Sequence, residues 1–425
     1  MTNKTNKGLW LALIWTGAGT AAWAQPAPQM KILYTFTKRA EGVDPNNSVT
    51  VGSGGVLYGT TPAGGKYNSG VLYSLTPPVS PGGPWTEAVL ANFEGNGATR
   101  ENPDGPLVVA TNGVIYGSTM GDYGNFGNGY FNGSVYSLRP PAAPGDPWHR
   151  TAICSFSPQD GPLAIAMGHS GILYGVTAEG GTTTSGVVFS CAPPASPGDG
   201  WSETVLYDVP SGGSTNFGAN LVLGPGGVIY STSSSTLSNG GSAFSLTPPA
   251  TPGDTWGPAT LFDFPTTADG TNPDGLVRGS GGVLYGTTSL GGSSTVCAGI
   301  QPGCGVVFAL APPTSPDGAW TETVLHSFND TPDGAYPNPL TIGAGGVLYG
   351  STYSGGTFGY GTLFSLTPPT SPDGSWTYAL LYSFTGGSDG GNPNGLTPGP
   401  DGLLYGTTSG VVGNPDFGTV FAFLP

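Results

Sequence analysis

The 425-residue chain carries 10 Lys and Arg against 25 Asp and Glu, a net charge of −15, with only 8% of its residues charged. So sparse and acidic a surface excludes nucleic acid and anionic membranes as partners, because neutralising phosphates takes Lys and Arg. Its 76 Gly and 42 Pro would read as disorder without a period, but 11% aromatic residues at regular spacing can bury a core.

The chain opens with an export signal over residues 1–24. Lys4 and Lys7 form a basic start, an apolar run from Leu9 to Trp23 follows, and Ala22-Trp23-Ala24 precedes Gln25 as a small-x-small cleavage site. Thr16, Gly17, Gly19 and Thr20 interrupt the apolar run, which suits a cleaved signal better than a span of ~20 apolar residues. No later segment is apolar enough to span a bilayer, so the mature chain is expected to be exported, to periplasm or medium. Without Lys4 and Lys7 it has 8 basic residues and a net charge of −17, favouring a soluble monomer.

Length alone would suggest two or three domains over residues 25–425, but an internal repeat overrides that prior. A β-rich run comes first, Ile32-Leu33-Tyr34-Thr35-Phe36. Then Val56-Leu57-Tyr58-Gly59-Thr60-Thr61 opens a motif that recurs around Tyr116, Tyr174, Tyr230, Tyr285, Tyr349 and Tyr405, in steps of 58, 58, 56, 55, 64 and 56 residues. Each is followed by a second motif, as in Gly70-Val71-Leu72-Tyr73-Ser74-Leu75. A Pro-Pro…Trp connector then leads to the next β-rich run, with Trp85, Trp148, Trp201, Trp256, Trp320 and Trp376.

Each repeat predicts four short strands, A to D, separated by Gly, Pro, Asn and Asp turns, with no helical period. Strands B and D carry consecutive apolar residues, as expected where both sheet faces are buried. The last repeat stops after its strand C, while the chain begins with an unattached strand D. The economical reading is an all-β, seven-bladed β-propeller closed by the N-terminal strand (31–36), which completes the last blade and leaves no missing strand.

These motifs resemble the GloVer tandem-repeat family. Gly346-Val347-Leu348-Tyr349-Gly350, Gly361-Thr362-Leu363-Phe364, Thr323-Val324-Leu325-His326-Ser327-Phe328 and Asp389-Gly390-Gly391-Asn392-Pro393 match its repeat pattern, and the match runs over nearly the whole mature chain. The resemblance implies a secreted or surface bacterial repeat protein and brings no catalytic residues with it.

Comparing the repeats with one another shows where they diverge. The A–B turns and C–D connectors are alike, whereas the D–A and B–C loops vary, and in a four-stranded meander these two loop sets share one face. Binding residues favour variable loops on a rigid scaffold. Four of the eight mature basic residues fall there in adjacent loops: Lys38, Arg39, Lys66 and Arg100. Tyr67, Glu101, Asp122, Tyr123, Tyr130 and Phe131 lie nearby. Aromatic faces with planar hydrogen-bonding groups, and Arg or Lys for acidic sugars, are what a polysaccharide site needs. Solvated loop charges and aromatic loop plugs are the plainer reading.

Asp44, Asp104, Asp160, Asp269, Asp274, Asp333 and Asp389 recur in D–A loops. They would suit Ca²⁺, which takes six to eight oxygens, or serve simply as turn formers. With three histidines (His149, His169, His326), all read as structural, and no CxxC pair, no other metal or cofactor is implied. Cys297 and Cys304 are spaced for a local disulfide; whether Cys154 and Cys191 pair is open.

The leading expectation is a non-enzymatic binding or scaffold module for a glycan or cell-surface partner. One alternative is a carbohydrate-active enzyme such as a lyase of an acidic polysaccharide, with Tyr67 or Tyr123 as base near Arg100 or Lys66, or a glycosidase pairing Glu101 with Asp122. The other is a purely structural envelope protein.

Overall fold

The computed structural model describes residues 29–425 except 96–100, 122–131, 158–160, 178, 183–184, 197, 210–214, 219, 236–239, 252, 266, 295–296, 298–302, 316–317, 372–373 and 412–415. The proposed signal and cleavage site lie outside the described residues, as do Arg100, Asp122, Tyr123, Tyr130, Phe131 and Asp160. Seven antiparallel sheets each run A-B-C-D from the inside outward. Blade 1 is built from Thr50–Val51, Leu57–Thr61, Val71–Thr76 and Thr86–Asn92. In blades 4 and 6 strand A breaks into two pieces, both paired with strand B.

Ring closure follows the strand count. Gln29–Thr35 pairs antiparallel with Thr419–Leu424, the strand C of blade 7, in a register from Gln29 opposite Leu424 to Thr35 opposite Thr419. The closing strand therefore begins two residues before the expected Lys31. Phe36 extends the ladder, its N–H donating to Gly418 at 3.0 Å and its carbonyl accepting from Phe417 at 2.8 Å.

The doubly buried strands are B, as expected, and C, not D. Val71–Thr76 is buried throughout except its last residue, whereas Thr86–Asn92 is half-buried or exposed. Strand D lies at the outer rim, with a neighbour on one side only, so its apolar run covers one junction. Seven separate apolar clusters result, one between each pair of adjacent blades. The connector tryptophans serve these junctions. Trp85 meets Tyr405 of the preceding blade edge-on at 6.4 Å, and Trp201–Tyr116, Trp256–Tyr174, Trp320–Tyr230 and Trp376–Tyr285 repeat the contact.

Glycine is required at two repeated places. The A–B turn needs a left-handed residue, Gly54 at φ 67° in blade 1, a place Ser170 takes at φ 58° in blade 3. The glycine after the signature tyrosine lies under a strand-C ring: a Cβ on Gly350 would come 2.3 Å from Cζ of Phe364. Gly350→Ala should therefore cost about 1–3 kcal/mol in urea unfolding, the usual range for overpacking. Blade 4 carries Ser231 at this position, and there Phe244 is the one ring of its set that is not fully covered, at 9% exposure. A cleft of ≈ 320 Å³ lined by Tyr207, Phe217, Phe244 and Pro258 opens at this junction.

Two disulfides are present. Cys154, in strand D of blade 2 (His149–Ser155), is bonded to Cys191, in strand C of blade 3 (Val187–Ala192), joining two blades. Cys297 and Cys304 close a loop within blade 5.

Candidate functional site

The D–A and B–C loops of blade 1 are bound into one unit. The Gly65 N–H donates to the Arg39 carbonyl at 2.6 Å, and the Arg39 guanidinium reaches Asn68 Oδ1 at 2.9 Å. Lys38 pairs with Glu41 at 2.9 Å while staying largely in solvent. Burial raises the Glu41 carboxyl, but hydrogen bonds from Lys38 and Tyr34 outweigh it and hold the group below its ordinary value. Lys66 lies 4.8 Å over the ring of Tyr67, a cation–π geometry. Lys38, Arg39, Lys66 and Tyr67 thus share one patch.

Glu101 is placed differently. It is bound by Arg150, whose guanidinium reaches its two oxygens at 3.1, 3.1 and 2.9 Å and lies 4.8 Å from the Phe93 ring. Its Oε2 also accepts the Glu94 N–H at 2.6 Å. Both carboxylate oxygens serve the junction between blades 1 and 2.

The large exposed aromatics fall on this same face. Among the described residues the most exposed are Tyr67 at 40%, Tyr353 at 46% and Phe358 at 55%. Tyr67 and Phe358 lie in the B–C loops of blades 1 and 6, and Tyr353 is the next-to-last residue of strand B of blade 6 (Leu348–Ser354). The repeats did not single out Tyr353 and Phe358, since an exposed loop aromatic and a packed one read alike in sequence.

The central channel is a polar cavity of ≈ 440 Å³ lined by Asn47, Asp104, Asn220, Asp274, Asn338 and Asn394 among others. Most of these side chains stitch neighbouring blades together. Nδ2 of Asn47 donates to Asp104 at 2.9 Å, Nδ2 of Asn338 to the Pro393 carbonyl at 2.7 Å, and Nδ2 of Asn394 to the Pro45 carbonyl. Asn220 bonds the backbone of Leu276 in both directions, at 2.8 and 3.2 Å. The sequence signal was present, an Asn or Asp just after the repeated Pro in Pro337-Asn338, Pro393-Asn394, Pro103-Asp104 and Pro273-Asp274. Read as turn chemistry, it concealed the inter-blade role.

Among the described residues the recurring aspartates do not converge. Asp104 and Asp274 line the channel, whereas Asp44 accepts from the Gly410 N–H, Asp389 from Tyr382 and Asp333 from His326. No group of three acidic, His or Cys side chains is set for a metal ion among the described residues. His326 belongs to a blade junction: it lies 3.0 Å from Asp333 and stacks on Tyr378 at 3.9 Å. Burial raises the Asp333 carboxyl, but hydrogen bonds from His326 and the Asn329 N–H prevail and lower it.

Among solved structures, the extracellular domain of BT4673 from B. thetaiotaomicron, described as a one component system, matches at a TM-score of 0.52 and 13% identity, over 92% of this chain and 42% of that one. The holo PQQ domain of pyranose dehydrogenase from Coprinopsis cinerea matches at 0.44 and 14%, over 95% and 98%. The gluconolactonase XC5397 from Xanthomonas campestris matches at 0.43 and 16%, over 76% and 86%. At such identities the likeness is one of fold. No curated protein matches the chain. The family model described as the Gloeobacter/Verrucomicrobia repeat matches residues 216–425, and with the same motifs recurring through the preceding blades, the chain belongs to this repeat family.

Proposed function

We propose that the protein is an exported binding module whose D–A/B–C face recognises a glycan or glycan-bearing cell-surface partner. The observation that carries this reading is the location of Tyr67, Tyr353 and Phe358, three solvent-facing rings at the B–C ends of blades 1 and 6. Aromatic rings take up the apolar faces of sugars, and Lys66 and Arg39 beside Tyr67 suit an acidic sugar. Two disulfides accord with an oxidising compartment, and no helix among the described residues is long and apolar enough to cross a membrane.

A glycan array of the mature protein, with and without Ca²⁺, tests this. Acidic polysaccharide is expected to be retained, and Tyr67→Ala combined with Lys66→Ala should weaken retention at least about tenfold, which is ~1.4 kcal/mol. Undiminished retention by that variant removes the patch as the site. Unsaturated sugar ends on the retained glycan would assign a lyase instead, and no retention on any glycan would point to a protein partner or a structural role.

A further inference from the structure

In blades 1, 2 and 5, strand D sends one side chain, two residues before the residue paired with the core ring of strand C, into the junction with the preceding blade. In blade 2 it is Arg150, opposite Leu138; in blade 1 Glu87, opposite Leu75; in blade 5 Glu322, opposite Leu310. The junctions before blades 2 and 1 are otherwise close copies. Phe93 and Tyr136 pack edge-on at 5.3 Å in one, Phe36 and Tyr73 at 5.0 Å in the other, and each has a glutamate in its D–A loop, Glu101 or Glu41.

The difference is charge. Arg150 answers Glu101 with three contacts, whereas Glu87 brings a second acid toward Glu41. Oε1 of Glu87 and Oε2 of Glu41 are both buried without a hydrogen-bond partner. The other groups facing Glu87 are Tyr34 from the closing strand, which hydrogen-bonds Glu41, the fully buried Tyr73 from strand C, and Lys38, which meets Glu41 from solvent. One positive charge held by Glu41 leaves none for Glu87. Two carboxyls brought together away from water do not both ionise.

We propose that Glu87 and Glu41 form a proton-held latch on the junction that closes the ring, tightening it under mildly acidic conditions and slackening it above neutrality. Burial first, then the charge of Glu41, push the Glu87 carboxyl from 4.5 up to about 7. Glu322, beside Asp269, is pushed up to about 7 in the same way. The folded state therefore binds a proton that the unfolded chain releases. The sign follows: stability falls as pH rises from the ordinary glutamate value to about 7 and levels off above it.

Melting temperature and amide-exchange protection of the closing strand, measured from pH 5 to pH 8, test the latch. In the wild type both are expected to fall across that window. Glu87→Gln, and Glu87→Met (Met30 occupies this position in blade 7), should each raise the melting temperature at pH 8 and remove most of the pH dependence of closing-strand protection. Glu322→Gln should flatten only its own share of the melting profile and leave the closing strand pH-sensitive. The proposal is overturned if the Glu87 variants keep the wild-type slope, or if closing-strand protection in the wild type does not change with pH.

Discussion

Cys154→Ser is expected to lower stability by about 3–4 kcal/mol, the chain-entropy value for a loop of this length, seen as an earlier urea midpoint. The bond spans 37 positions of sequence and joins strand D of blade 2 to strand C of blade 3. Both sulfurs belong to the apolar cluster of that junction, with Phe156 and Phe189 beside them. Reduction of the wild type, which opens both disulfides, should cost more than this substitution alone. Cys297→Ser is the internal comparison: its loop spans 7 positions inside one blade, so its cost should be smaller, about 2 kcal/mol. Equal costs would mean that the inter-blade bond adds nothing by joining blades.

The second large effect lies at the closing junction. Phe36→Ala should cost about 3–5 kcal/mol, as for other fully buried phenylalanines. Phe36 has no exposed surface, and its ring meets Tyr73 at 5.0 Å and Tyr34 at 5.2 Å, so its loss opens a void between blades 7 and 1. Removing the closing strand altogether goes further. Without Gln29–Thr35, strand C of blade 7 presents a row of unpaired backbone groups, an edge prone to pairing with other chains. The truncated protein is expected to elute as larger species than the intact protein on size exclusion, and a peptide of residues 29–37 supplied in trans should restore the elution of the intact protein. A truncated chain that elutes like the intact protein and keeps its melting temperature would show that the ring does not need this strand.

Much of this architecture was legible from periodicity. Seven spaced tyrosine motifs set the number of blades, and the match between a surplus strand D at one end and a missing one at the other placed the closure. The face carrying the variable loops was legible too, because internal divergence marks it. The site was less so. Lys38, Arg39, Lys66 and Tyr67 come together as their loops imply, but Glu101, alike in sequence terms, turns away to bind Arg150. An acid in a loop does not disclose whether a strand residue some fifty positions onward will neutralise it.

By itself the sequence determined the repeat, its four strands, the closure, and the glycines that turns and ring contacts demand, because these depend on neighbours within one repeat or on simple counting. Only the tertiary structure decided what meets across the junctions. It joined Cys154 to Cys191, set Glu87 against Glu41 where the next junction has Arg150 against Glu101, and turned the asparagines after the repeated proline into stitches around the channel. Those contacts join residues of different repeats, up to the Asn394–Pro45 bond across 349 positions. Their partners are chosen by how adjacent blades pack, which no spacing within a single repeat records.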